Sequence, residues 1–259
     1  MKILVIGDSC TDIFIYGNIE RINPEAPVPV FLPTKTVENL GMAGNVADNI
    51  SSLGIDCDLI TNESQITKTR YVENKSNQML LRVDENDTLP ENDKFNLIKN
   101  SNKVKGYDAL VISDYDKGFL SSTDIEYLLN QKIPTFLQTN KKLDNWAEKA
   151  LFVKINELEY EESKTYIDLP DNLKNTNLII TLGSKGCSYK DKIYEIKNQV
   201  EIRDISGAGD TFLAGLVKEY LSSKDIEKSI SYAQMLSTIV VQKKGVNIAG
   251  KSNQRARKI

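Results

Sequence analysis

Hydrophobic and polar positions divide this 259-residue chain into three stretches. Ile3-Leu4-Val5-Ile6 is an unbroken apolar run that ends at Gly7-Asp8, as expected of a buried parallel strand delivering its end to a functional loop. β-rich pieces follow at residues 13–19 and 28–32. A hairpin is predicted from residues 69–72 and 79–83, joined by a polar, turn-rich connection. Between these, residues 45–53 carry Val46, Ile50 and Leu53 at helical spacing, and Gly54 is placed to stop the helix.

Beyond about residue 90, short apolar runs at 109–113, 134–138, 151–155 and 178–182 alternate with polar, helix-compatible segments. That alternation predicts right-handed βαβ units in a sheet with helices on both faces. Residues 189–203 read as an antiparallel pair of strands, and the last third reads as helical. Within 209–221, Phe212, Leu213, Leu216, Val217, Tyr220 and Leu221 form a helical stripe, with Ala214 and Gly215 small enough for close packing. The expected fold class is α/β: a central, mostly parallel sheet flanked by helices, plus a small β lid. One domain spanning 1–259 is expected, with the lid built from excursions at about 12–36 and 66–84.

Composition narrows the chemistry. The chain has no histidine, which excludes a Ser-His-Asp triad, a His-Glu-x-x-His zinc site and a histidine-based nucleotidyltransferase signature. Acid–base work must fall to Asp, Glu, Lys, Tyr or Cys. Cys10, Cys57 and Cys187 are far apart, as expected of reduced structural thiols in a cytoplasmic protein. A formal net charge of −3 gives no electrostatic footprint for nucleic acid. The opening apolar run is too short and too soon charged for a signal peptide, and no window has the length to cross a bilayer. Residues 251–259 are basic and polar, and are expected to be a solvated, frayed tail.

The most informative segment is Asp204-Ile205-Ser206-Gly207-Ala208-Gly209-Asp210-Thr211. Two glycines bend the backbone just before an amphipathic helix. Free N–H groups at a helix N-terminus, together with the helix dipole, favour an anion there. Asp210 would then stand where it can accept the proton of an attacking hydroxyl. Asp84 and Asp114 are other candidate bases, but neither lies in a glycine-built helix start. A simple helix cap is the competing reading of the segment.

The same segment resembles the Asp-Thr-x-Gly-Ala-Gly-Asp signature of the ribokinase, or pfkB-type, carbohydrate kinases. Other motifs follow in that family's order. Gly41 to Asn45 resembles its Gly-Gly-x-x-Asn motif, Asn156-Glu157-Leu158-Glu159 its Asn-x-x-Glu motif, and Thr181 to Gly186 its nucleotide loop. The resemblance covers nearly the whole chain and implies a ribokinase-like fold and an ATP-dependent sugar kinase. It implies Asp210 as base, with the N–H groups of Gly207, Ala208 and Gly209 holding the moving phosphoryl oxygens. Asn156, Thr181, Gly183, Gly186 and Asp204 would serve the nucleotide. Glu159, with Asn156, would place Mg²⁺, and a monovalent cation is a further candidate. Asp8, Asp12, Gly41, Asn45 and Asp114 would serve the sugar. Without that family pattern Glu159 would read as an ordinary helix-surface charge.

A narrower resemblance points to the substrate. Tyr16-Gly17, the run from Arg21 to Val30, Lys68-Thr69-Arg70, Gln78 and Leu81-Arg82-Val83-Asp84 are similar to heptose-7-phosphate kinases, as are Ser113-Asp114-Tyr115 and Lys117-Gly118. This implies phosphorylation of D-glycero-D-manno-heptose 7-phosphate at its anomeric hydroxyl, with Arg21, Lys68, Arg70 and Arg82 near the sugar phosphate. The adenylyltransferase fused to this kinase in bifunctional relatives is expected to be absent from the chain. A homodimer joined through the β lid is expected, since pairing buries open strand edges. The pattern departs from the family at Met42, where a second glycine is usual. It departs again at Gln138-Thr139-Asn140, which lacks an aspartate, and in the short segment between Glu162 and Asn177. These departures keep open a kinase for another sugar or nucleoside, or an inactive regulatory relative that binds nucleotide or sugar.

Overall fold

A computed structural model describes residues 1–100, 102–168, 177–198, 200–250 and 256–259. In chain order its strands are β1 (Lys2–Gly7), β2 (Ser9–Ile22), β3 (Pro29–Met42), β4 (Asp56–Ile60), β5 (Ile66–Glu73) and β6 (Met79–Glu85). There follow β7 (Ala109–Asp114), β8 (Thr135–Thr139), β9 (Phe152–Asn156), β10 (Leu178–Thr181), β11 (Cys187–Tyr189), β12 (Lys192–Tyr194) and β13 (Arg257–Lys258). The helices are α1 (Ala43–Ser52), α2 (Leu97–Asn100), α3 (Ser122–Leu129), α4 (Glu157–Ile167), α5 (Ala208–Ser223) and α6 (Ile226–Val240).

The main sheet has the order β12-β11-β10-β9-β8-β7-β1-β4-β13. From β10 through β13 every neighbouring pair is parallel, and only the β10–β11 and β11–β12 pairs are antiparallel. Strand alternation sends successive side chains to opposite faces. Leu4 and Ile6 join Leu110, Ile112, Leu137 and Val153 against α3 and α4. Ile3 and Val5 join Val111, Phe136 and Phe152 against α1, α5 and α6. Each of these large side chains removed from water contributes about 1.5–3 kcal/mol, so the two apolar layers hold helices on both faces of the sheet. The close packing expected at Gly215 is present: a Cβ there would lie 3.0 Å from the Ala233 Cα in α6.

A second, four-stranded sheet has the order β3-β2-β5-β6. On β2 the even positions Cys10, Asp12, Phe14 and Tyr16 are buried, whereas Ile13 and Ile15 are half-exposed on the other face. The predicted hairpin is β5 with β6, and both excursions run longer than their apolar cores. β2 and β3 pair from Ser9 with Met42 to Ile22 with Pro29.

Three expectations change. The antiparallel pair lies at β11 and β12, ahead of most of residues 189–203. β4 was not anticipated, because Asp56 and Asp58 interrupt its apolar pattern. The C-terminal tail is no frayed end where it is described: β13 pairs with β4, and Arg257 binds Asp58 through Nε at 3.0 Å and Nη2 at 3.1 Å. Residues 251–255 of that tail, and residues 169–176 of the short segment noted above, lie outside the described residues. No helix among the described residues is long and apolar enough to cross a membrane.

Candidate active site

The C-terminal ends of parallel strands in an open α/β sheet are where ligands bind, and here those ends converge on the start of α5. Gly207 precedes the helix with a φ of 78°, a left-handed conformation that favours glycine. A Cβ on it would also lie 2.7 Å from the Asn45 Nδ2. That bend sets Asp210 in the first turn of α5, 5% exposed. Its Oδ2 accepts a 2.8 Å hydrogen bond from Asn45 Nδ2, and its Oδ1 accepts one from the Tyr115 hydroxyl. Asn45 is itself oriented by Asn49, whose Nδ2 donates to Asn45 Oδ1 at 3.1 Å.

The chain of donors continues beneath Tyr115. Gln138 Nε2 donates to the Tyr115 oxygen at 3.1 Å, and Gln138 Oε1 accepts from Lys154 Nζ at 3.0 Å. Every donor direction in this series ends on Asp210. Burial raises the Asp210 carboxyl above the usual range, opposed by the bonds from Tyr115 and Asn45 and by the Lys154 charge. The arrangement is a desolvated carboxylate with fixed orientation, suited to accepting a proton.

The amides nearby are divided. Ala208 N–H donates to the Ile205 carbonyl at 3.1 Å, so it is committed to the turn and not directed outward as expected. The amides of Gly209 and Asp210 lie in the first turn, where an α-helix has no carbonyl of its own to offer.

Asp12 and Arg70 form an ion pair across β2 and β5, both largely buried. Gly41 backs Asp12 so closely that a Cβ would lie 2.2 Å from its Oδ2. The charges of Asp12, Lys68, Asp210 and Arg70 all act on the Cys10 thiol, which burial, the largest influence, pushes up to about 12. These four side chains, three from the second sheet and one from α5, therefore share one neighbourhood. Lys68 faces Asp84 at 3.8 Å and Asp87 at 3.4 Å, and Arg82 grips Asp84 with two bonds of 2.7 Å. Arg21 is exposed near the end of β2. Nine residues of extended chain separate it from Asp12, about 30 Å at strand spacing, so the structure does not bring it to this cluster.

Several residues expected to face ligands are committed to the protein itself. Asp8 is fully buried and accepts the amides of Tyr115 at 2.7 Å and Phe119 at 3.1 Å. It holds the loop that carries Tyr115. Asp114 is also fully buried, under the Thr139 hydroxyl and Lys141 Nζ at 3.3 Å, and burial raises its carboxyl to about 6. Asp204 accepts from Ser206 N at 2.9 Å and Gly245 N at 3.0 Å, tying two loops together. A Cβ on Gly186 would lie 2.0 Å from the Tyr194 carbonyl oxygen, so that glycine serves the packing of β12. Thr181 donates to the Ile155 carbonyl at 3.2 Å, while open space surrounds Gly183.

Asn156 caps α4. Its Oδ1 accepts from Glu159 N at 2.9 Å, and its own N and Nδ2 donate to the Glu159 carboxylate at 2.7 Å each. Glu159 is half-buried, and burial raises its carboxyl against the pull of Lys154. Among the described residues, no cluster of three or more His, Cys, Asp or Glu forms a ready metal cage. Sequence reasoning missed Gln138, Tyr115 and Lys154 as parts of the site. The available signal was Lys154 itself, a charge inside the otherwise apolar run 151–155.

Comparison with known proteins places this geometry among relatives. The pfkB family carbohydrate kinase profile matches residues 42–253. The bifunctional protein HldE of Helicobacter pylori strain J99 is 30% identical, over 96% of this chain and 64% of its own length. The bifunctional protein HldE of Campylobacter curvus is 31% identical, over 95% of this chain and 62% of its own length. The chain thus spans less than two thirds of these relatives. Phosphofructokinase-2 from Escherichia coli, solved in complex with potassium, superposes with a TM-score of 0.71 at 15% identity, covering 97% of this chain and 96% of its own. Ribokinase from Thermotoga maritima gives 0.68 at 14% identity, covering 94% of each chain. Both share the fold.

Proposed function

The chain belongs to the pfkB family of carbohydrate kinases, and on that premise we propose that it transfers the terminal phosphoryl group of ATP to the anomeric hydroxyl of D-glycero-D-manno-heptose 7-phosphate, giving the 1,7-bisphosphate. The observation that carries the reaction type is Asp210. It is buried at a helix start, held by Asn45 and Tyr115 and adjacent to first-turn amides. A base so fixed takes the hydroxyl proton as the oxygen attacks, while the amides at the start of α5 stabilise the anionic oxygens of the moving group.

The substrate assignment rests on the resemblance of the Arg21–Val30 and Lys68–Asp84 stretches to heptose-7-phosphate kinases. The second sheet would act as the lid. Asp12 accepts sugar hydroxyls with Arg70 beside it, and Lys68 and Arg82 exchange their carboxylate partners for the sugar's phosphate. Arg21 is left out of this reading because its strand carries it away.

Mg²⁺ fits the residues present. The ion keeps much of its hydration shell and binds one or two carboxylates plus substrate phosphates, which suits a site with Glu159 near ATP and no all-protein cage. Bound there, it would supply charge neutralisation between the phosphates. Asn156 orients the Glu159 carboxylate for that purpose. Three free, buried cysteines suit a reducing, cytoplasmic setting. The exposed apolar face of the second sheet would join two copies of the chain.

A panel of sugars and sugar phosphates in a coupled ADP-release assay, with phosphorus NMR of the product, tests the assignment. Heptose 7-phosphate should turn over fastest and yield an anomeric phosphate. Asp210→Asn should be slower by at least about 10²-fold with near-normal ATP affinity. An inert heptose 7-phosphate beside an active alternative sugar would reject the substrate but keep the reaction type.

A further inference from the structure

We propose that Lys117 determines the specificity of this site: together with Lys68 it grips the phosphate of a phosphorylated sugar, in the place that the Asp87 carboxylate fills when no sugar is bound. The proposal rests on the sugar-phosphate reading above. It adds a residue carried by the main sheet to the cations of the second sheet.

Lys117 stands in the loop between β7 and α3, and that loop is fixed on both sides of it. Asp8 accepts the amides of Tyr115 and Phe119, two places before and two places after. The Lys117 carbonyl accepts from Leu89 N at 2.8 Å. Asp116 at φ 56° and Gly118 at φ 101° bend the chain to either side. Because the Tyr115 hydroxyl binds Asp210, one short loop carries both a support for the base and an ammonium group.

That ammonium already holds an anion. Lys117 Nζ donates to Asp87 Oδ2 at 2.5 Å, and Lys68 Nζ donates to Asp87 Oδ1 at 3.4 Å. The lysine side chains are only 20% and 10% exposed. Burial would raise the Asp87 carboxyl, but the bond from Lys117 and the charge of Lys68 outweigh it and lower it. An ionised group thus bridges a lysine of the main sheet's loop and a lysine of β5, one oxygen on each. A phosphate has the same charge sign and three terminal acceptor oxygens, so it fits the same pair of donors. Lys68 stands opposite Asp12 and Asp84 in the strand register, which sets this position beside the Asp12–Arg70 pair.

The surrounding charges favour the exchange. In the ion-pair network Lys68, Arg70, Arg82 and Lys117 face Asp12, Asp84 and Asp87, four positive charges against three negative. A phosphate dianion in place of Asp87 makes it four against four. Asp87 can leave: it lies past the end of β6, and its side chain is 39% exposed and free to turn into water. A sugar without phosphate brings no charge to displace it. Asp87 therefore competes with the substrate, and its removal frees both lysines for the phosphate.

Steady-state kinetics with heptose 7-phosphate and with the same heptose lacking its phosphate test both roles. Wild type should prefer the phosphorylated form. In Lys117→Met that preference, taken as the ratio of the two kcat/KM values, should fall about 10-fold or more. The fall should appear in KM, because a grip on the phosphate acts alike before and during transfer. Asp87→Asn should act in the opposite direction and lower the KM for heptose 7-phosphate. An unchanged preference in Lys117→Met, or a KM that does not fall in Asp87→Asn, overturns the proposal. If Lys117→Met fails to fold, Lys117→Gln carries the same comparison. Should heptose 7-phosphate be inert while another sugar phosphate turns over, the heptose assignment falls, and the two forms of that sugar decide the role of Lys117. A wild type that uses only unphosphorylated sugars, or uses both forms equally well, overturns the grip and leaves the kinase reading intact.

Discussion

At the scale of single residues, a general base must be desolvated enough to take a proton and well enough held to remain ionised beforehand. Asp210 meets both needs through opposed influences: burial raises its carboxyl, while hydrogen bonds from Tyr115 and Asn45 bring it down. Tyr115→Phe removes one of the bonds that favours the ionised form, so the carboxyl should rise further. Because the base works ionised, the acid limb of the kcat/KM profile should move to higher pH in this variant. A limb that stays in place, or moves to lower pH, would contradict the role of the hydroxyl. Met42 shows a departure visible in the sequence whose meaning needed the structure. It holds φ 59° and ψ −132°, a conformation suited to glycine, with its side chain buried. Strain of about 1–3 kcal/mol is offset by burying a large apolar side chain, about 1.5–3 kcal/mol. The backbone therefore keeps the turn that presents Gly41 and Asn45.

At the scale of elements, the edge strand β13 depends on one buried carboxylate. Asp58 on β4 is 1% exposed and accepts hydrogen bonds from Lys2, Tyr107 and Arg257. Burial alone would raise its carboxyl, but these three partners outweigh burial and lower it to about 2. A depressed carboxyl stabilises the fold fully above its unfolded value near 4, and the contribution is lost as pH falls toward 2. Asp58→Asn should thus cost about 1–3 kcal/mol at neutral pH, read by denaturant unfolding. Its deficit against wild type should shrink between pH 4 and pH 2, and a deficit independent of pH would refute the ionic account. The same cluster shows where sequence reading stops. β1, β7, β8, β9 and β10 were legible because continuous apolar runs announce strands buried on both faces. β4 and β13 were not, because Asp58 and Arg257 are charges whose compensation lies 199 positions apart. The site divides in the same way. The bend at Gly207 and the base at Asp210 stand in one local segment, whereas Tyr115, Gln138 and Lys154 come together only when β7, β8 and β9 pair.

At the scale of the whole molecule, the second sheet has two unlike faces. One carries Asp12, Phe14 and Arg70 toward the site. The other carries rows of residues directly opposite one another, and opposite residues share a face: Ile13, Thr69 and Val83 in one row, and Ile15, Tyr71 and Leu81 in the next. Leu81 is 55% exposed and Val83 37%, while Thr69 is buried, so the apolar part of this face left uncovered in a single chain lies along β6. An extended apolar patch on a sheet whose outer strands offer unpaired backbone groups favours association. Two copies meeting through this face would bury it and hold each lid over its own site. Light scattering should give about twice the 29.1 kDa of the chain. Leu81→Lys with Val83→Lys should return the mass to one chain, because four like charges would face each other across the two-fold contact. Lid order and sugar affinity should fall together in that variant while Mg·ATP binding persists, since the α5 start packs on the main sheet. A wild type that remains monomeric at assay concentrations, with full sugar affinity, would show that the lid needs no second copy.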